Sequence, residues 1–340
     1  MDPRRGTVTL ADWSDRWLEQ RPDLRVRTRE LYRGLLRRQI LPELGPVPLA
    51  KLSPSQVRAW HAQLQGPSGP GASTAAKAHR LLRAMMRTAE DDEVIVRNPC
   101  QVARAGVERA AERPVATVAE VAALADGIAP RFRAVVLLAA WCGLRRGELM
   151  GLRRSDFDLL RRTVKVERSM QQLIDGTLIF GPPETEAGRR LIAIPPHVVP
   201  EIEAHLEDFV AADPVALVFT GEHGGPLRPH VLQTAWDKAR RATGQERLHV
   251  HDLRHSGNTW AAATGASTKE LMARMGHANA AAALRYQHAT ADRDQAIARA
   301  LSELAAPAAV VPIARNAFGA RDRRAMSPTS ERTANRGNGP

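Results

Sequence analysis

The stretch that most limits the fold is "RFRAVVLLAAWCG", residues 131–143. It is apolar on nearly every side, so a helix formed by it has no polar face to give to water. It is also too short for a bilayer, which takes about 20 consecutive apolar residues. Such a helix must be covered by other elements of the same chain, so it predicts a domain with this segment as its buried spine. No other apolar run reaches membrane length, so no membrane partner is expected. The opening "MDPRRGTVTLADW" has neither an apolar signal core nor a cleavage site, and the expected location is the cytoplasm.

Periodicity sorts the rest of the 340 residues into regions. Residues 1–96 read as a helical domain. Leu10, Trp13, Trp17 and Leu18 fall at helical spacing, as do Leu31, Leu35 and Leu36 in a helix expected to end before Pro42. Ser53 and Pro54 open another helix as N-cap and first residue. After the break "GPSGPG" comes a long helix with Leu82, Met85, Met86 and Ala89 facing inward. Its other face carries Lys77, Arg80, Arg83 and Arg87, a stripe able to lie along a DNA backbone, although such stripes are commonly just solvated. Residues 97–116 look like a linker with little hydrophobic periodicity. A second domain spans 117–305, opened by a Thr117/Glu120 capping box. Within it, "RTVKVERSM", "LIFG" and "RRLIAIP" suggest one small antiparallel sheet. Helices follow at 197–210, 229–243, 251–264, 268–276 and 279–304. Residues 306–340 have the composition of a disordered tail.

The net charge of +12 implies a polyanionic partner, with nucleic acid first. Only five basic residues are lysines (Lys51, Lys77, Lys165, Lys238, Lys269); arginine, the rest, suits bidentate phosphate contacts. Codon bias is an equally good cause of the arginine excess, but it leaves the field in place. Cys100 and Cys142 are too few for a disulfide framework or a cysteine metal site.

Three motifs bear chemistry. In "CGLRRGELMGL" a glycine turn presents Arg145, with Glu148 one helical turn on. In "HVHDLRHSGNTW", His251 and Arg254 share a helical face and form an anion clamp. The same "HDLRH" also resembles a two-histidine zinc helix on His251 and His255, with Asp252 in the base position. In "RMGHANAAAALRYQHAT", Tyr286 stands nine residues after His277 and is one of two tyrosines in the chain. Each motif alone has an ordinary structural explanation. Together and in this order they resemble the tyrosine recombinase (phage integrase) family, over roughly residues 8–304.

That resemblance implies a fold class that is mainly α with a small antiparallel β-sheet: an all-helical, SAM-like core-DNA-binding domain followed by an α+β catalytic domain. It implies Arg145, His251, Arg254, His277 and Tyr286 as active-site residues, with Glu148 in support. The partners it implies are double-stranded DNA and further copies of the chain, a tetramer on two DNA sites, with the helix at 291–304 docking on a neighbour or on its own domain. It also reads as a two-domain recombinase or a shortened integrase. The chemistry is coherent. A phenol can attack a phosphodiester and later leave, storing the bond covalently. Two guanidiniums can hold the non-bridging oxygens of the pentavalent state. His277 can donate to the phosphate and His251 can carry the tyrosine proton. No cofactor or metal is required.

One position departs from the family. In "GPPETEAGRRLIAIP", Glu184 stands where a lysine usually protonates the leaving oxygen. A carboxylate about 4 Å from a phosphate is repelled by roughly 4 kcal/mol at an effective dielectric of about 20. Lys165 is the candidate replacement acid. Otherwise Glu184 points away on a mobile hairpin, or the chain is a weakened recombinase that acts as a sequence-specific DNA-binding protein.

Overall fold

The computed structural model describes residues 7–108, 113–280 and 284. In the leading half, Thr9 accepts the N–H of Asp12 and starts α1 (Leu10–Glu19). Its buried Trp13 and Trp17 donate their indole N–H groups to the Met85 carbonyl and Thr88 hydroxyl. Both residues belong to α5 (Ala72–Asp91), so the two helices are pinned by polar tips as well as by area. α2 (Val26–Leu35) does not end before Pro42. It passes through a wider π turn, Leu36–Ile40, into the short α3 (Leu41–Leu44). Proline has no N–H to give to an α-ladder, and the π turn, closed by Leu41 N–H to Leu36 C=O, shifts the register just before it. Leu31 is exposed, while Leu35, Leu36 and Ile40 enter the core. α4 (Pro54–Gln65) begins with Ser53 and Gln56 in a reciprocal capping box.

This first core runs from Leu10 to Cys100. The following segment is more ordered than its composition suggests. Asn98 is buried, donates to the Arg83 carbonyl and accepts the Cys100 N–H. Arg80 donates to the Gly106 carbonyl and pairs with Glu108, which also takes the Ser73 hydroxyl and Lys77. Polar groups, together with the buried Cys100 and Ala105, lay residues 98–108 along α5.

A second core begins at Ala116. α6 (Val118–Gly127) carries the Thr117/Glu120 capping box. α7 (Pro130–Trp141) is the spine: every residue from Ala134 to Ala140 is buried. Burial of each valine and leucine among them contributes roughly 1.5–3 kcal/mol. Its neighbours are α6, α8 (Arg146–Gly151), α9 (Val199–Phe209) and α11 (Val250–Ala263). A Cβ at Gly257 of α11 would overlap the Ala140 carbonyl, so α7 and α11 cross backbone to backbone there. α10 (Pro229–Ala242) and α12 (Thr268–Met275) complete the described helices, α12 starting with a Ser267/Glu270 box.

The strands form two antiparallel sheets rather than one. β1 (Phe157–Asp158), β2 (Thr163–Val166) and β5 (Arg190–Ala193) pair in the order β1-β2-β5. β3 (Ser169–Gln172) and β4 (Leu178–Gly181) make a separate hairpin. "RTVKVERSM" is therefore split between the two, with Glu167 and Arg168 at the break. The helix expected at 279–304 and the tail lie outside the described residues, apart from Asn279, Ala280 and Leu284. Among the described residues no helix is long and apolar enough to cross a membrane.

Candidate active site

Arg145 follows α7 by a tight turn. Gly143 has φ +64°, and a Cβ there would collide with the Met275 sulfur, so the turn needs glycine for both conformation and clearance. Arg145 then stands at the head of α8. Its N–H and its Nη1 donate to the two oxygens of Glu148, at 2.9 and 2.7 Å. Its Nη2 donates to the Gly276 carbonyl at 3.0 Å.

Arg254 arrives from α11. It is buried, donates to the Gly143 and Met275 carbonyls, and brings Nη2 within 3.1 Å of His277 Nε2. The meeting point is the C-terminus of α12. Gly276 adopts the left-handed conformation, φ 63°, and His277 N–H closes on the Met272 carbonyl. A helix end leaves carbonyls without helical donors and carries partial negative charge. Here the carbonyls of Met275 and Gly276 are each taken by a different guanidinium. The fold thus uses two arginines to set the position of His277.

Above them lies a cleft of about 980 Å³, lined among others by Arg27, Arg145, Glu184, His251, Gly276 and His277. Arg27 comes from the first core region. At the start of α2, Arg25 donates to the Glu184 carbonyl, Arg27 to the Gln172 carbonyl, and Glu30 accepts the Ile174 N–H. The cleft therefore has walls from both halves of the chain.

Charge is arranged unevenly around it. Burial pushes the Glu148 carboxyl up, but Arg190, Arg145 and the Arg145 N–H overcome this and hold it below its ordinary range. The His251 ring is solvent-accessible along the cleft but flanked by protein. Desolvation first, then Arg113, Arg254 and Arg145, push its pKa below the ordinary 6.5, so it is neutral at neutral pH. Asp252, 1% exposed, does not line the cleft: it accepts the His249 N–H and pairs with Arg113 and His249 Nδ1. That occupies the carboxylate a zinc helix would use as its base.

Residues 115–293 match the model described as "Phage integrase family", and residues 9–65 match "Phage integrase, N-terminal SAM-like domain". The chain belongs to the phage integrase family. It is 41% identical over 306 residues to the "Putative prophage phiRv2 integrase" of Mycobacterium tuberculosis strain H37Rv, covering 88% of this chain and 80% of that protein. Its fold is that of the Tn1549 transposon integrase, solved in complex with circular intermediate DNA: TM-score 0.73, 21% identity, 86% of this chain and 99% of that one. It is also that of lambda integrase, solved as a tetramer bound to a Holliday junction: TM-score 0.61, 19% identity, 82% and 80% coverage.

In this integrase-family chain the structure gathers Arg145, Glu148, Arg254 and His277 into one hydrogen-bonded group, with His251 on the same cleft. Tyr286 lies outside the described residues. Lys165 does not line the cleft; it faces out from β2 and pairs with Glu167 at 2.5 Å. Glu184, expected from the resemblance to stand in a lysine's place, does line it. The α5 stripe is largely engaged within the chain: Lys77 and Arg80 with Glu108, Arg87 with Glu90 and Asp91. Sequence reading missed Arg190, whose side chain is 5% exposed and paired with Glu148. The available signal was strand alternation, which puts Arg190 in phase with the buried Ile192.

Proposed function

We propose that the chain is a site-specific DNA recombinase that breaks and rejoins strands through a 3′-phosphotyrosyl bond at Tyr286. One observation carries this reading: two guanidiniums from separate segments converge on the α12 C-terminus, where His277 stands nine residues before Tyr286, beside a cleft lined by three histidines, His249, His251 and His277. Arg145, which lines the cleft, and Arg254, buried just behind it against His277, are assigned to the non-bridging oxygens as the phosphorus becomes pentavalent. His251, neutral at pH 7, accepts the phenolic proton, and His277, whose Nε2 here faces Arg254, donates to the phosphate once Arg254 turns to the phosphate. The Tyr286 oxygen bonds to phosphorus, the 5′-oxygen leaves taking a proton from water in the cleft, and the reverse attack returns that proton and restores the strand. The helical region 1–96 and the region 117–305 close on a duplex from two sides, residues 97–116 joining them. Integrases of this fold have been solved on DNA, one as a tetramer. This chain is assigned the same kind of partner, double-stranded DNA, and assembly as a tetramer, acting in the cytoplasm.

Glu184 on the cleft favours a second reading, a recombinase fold that binds its site and cleaves poorly. A nicked substrate that traps the covalent state separates the two. The first reading expects a protein–DNA adduct on a denaturing gel, lost in Tyr286→Phe and unaffected by EDTA. Site-specific binding with no adduct at any time would replace it with the second.

A further inference from the structure

Arg190 reaches three neighbours from the first position of β5. Its Nη1 and Nη2 fork onto the Glu148 oxygens at 3.1 and 2.9 Å. Its Nε donates to the Arg274 carbonyl in the last turn of α12 at 2.8 Å. Nη1 also donates to the Gly188 carbonyl at 2.9 Å. Arg189 beside it is 55% exposed, so the chain buries one of two adjacent arginines selectively. Arg190 does not line the cleft, and its Nε, Nη1 and Nη2 all donate to protein acceptors.

Glu148 is what makes this consequential. It is 2% exposed and receives four donations, two from Arg145 and two from Arg190. A buried carboxylate with a single cationic partner would draw that partner's charge onto itself. With two, the group Arg145–Glu148–Arg190 carries one net positive charge. Arg190 is sealed in, whereas Arg145 opens to the cleft. The excess charge is thus displayed by Arg145.

We propose that Arg190 is a positioning residue for strand cleavage: it neutralises Glu148, so that the Arg145 guanidinium is left available to the phosphate, and it fixes the α12 terminus that carries His277. The inference deepens the recombinase reading and rests on it for the word cleavage. The charge relation can be measured without it.

The experiment uses the full chain as wild type, Arg190→Gln, Arg190→Lys, Glu148→Gln and the double variant Glu148→Gln/Arg190→Gln. Single-turnover adduct formation on the nicked substrate is one readout, and affinity for inorganic phosphate by calorimetry is the other. Arg190→Gln should cleave about 100-fold more slowly, the scale for losing one preorganised donor to a developing oxyanion. Phosphate affinity should fall about tenfold. The double variant should recover at least about tenfold of the lost rate, and most of the phosphate affinity, because removing both halves of a buried pair lifts the draw on Arg145. Arg190→Lys, which keeps charge but not the fork, should fall between. A purely structural role predicts a double variant no better than Arg190→Gln, and that result overturns the proposal. So does wild-type phosphate affinity in a folded Arg190→Gln. If that variant fails to fold, the comparison of Arg190→Lys and the double variant with wild type still decides. A wild type that binds phosphate as described but never forms an adduct would instead count against the recombinase reading, leaving the charge relation to be judged by the phosphate titration.

Discussion

Two glutamates face the same cleft under opposite conditions. Glu148 sits in its floor, out of water, with donors on both oxygens from two arginines. Glu184 sits on its rim, exposed, in the turn between β4 and β5, where the Arg25 guanidinium binds its backbone carbonyl. Their formal charge is the same. In the floor that charge is offset twice over and serves to orient a guanidinium. On the rim it lies where phosphate is proposed to enter, with water as its main screen. What a carboxylate does to an anion site is therefore set by its partners and burial, not by its presence.

The sharpest way to break this contrast is to delete each side chain. Glu148→Ala leaves two guanidiniums facing each other around an empty, buried site. Removing one member of such a buried group costs about 3–5 kcal/mol. Urea unfolding should register a loss of that size, and cleavage should become undetectable. Glu184→Ala should change stability by no more than about 0.5 kcal/mol, as for surface positions generally. Equal effects at the two positions would mean that the burial contrast has no energetic content.

Reversing charge on the rim comes next. Glu184→Lys removes a repulsive charge and supplies a group able to protonate the leaving 5′-oxygen. A well-placed general acid is worth about 100-fold or more. Adduct formation on the nicked substrate should rise by about that factor, and DNA affinity should rise with it at low salt, an effect that moderate salt screens. A rate no faster than wild type would mean that Glu184 points away from the reacting phosphate, or that another group already supplies the proton.

Much of this was legible in the sequence because it is local. The caps at Ser53, Thr117 and Ser267, the apolar spine, and the separate motifs around Arg145, His251/Arg254 and His277 are each readable within a few residues of chain. What escaped depends on distant partners. Arg190 looks like one of several arginines until Glu148, 42 residues away, is placed beside it. The helix before Pro42 continues because a π turn absorbs the proline, which no propensity scale announces. Residues 98–108 read as a linker because their few apolar anchors have no regular period and polar side chains complete the attachment. Lys165 illustrates the converse: the residue type suits an acid, but strand phase turns it outward toward Glu167.

The smallest expected effect lies on α5, where the same distinction between engaged and available charge recurs at the surface. Ser73 first, then Arg80, hold the Glu108 carboxyl down at about 2, so it remains charged throughout the working pH range. A DNA phosphate approaching Lys77 or Arg80 must compete with it, and Arg87 is likewise shared between Glu90 and Asp91. Arg83 is exposed and forms no ion pair among the described residues. Of the four, it is the one positioned to give its charge to a backbone phosphate. Arg83→Gln should therefore weaken DNA binding uniformly across sequences and lower the slope of log K against log salt by about one. Lys77→Gln and Arg80→Gln should leave that slope nearly unchanged, since each already has a carboxylate for a partner. Equal slopes for all three variants would show that DNA displaces the internal carboxylates without cost, and the stripe would then act as a unit.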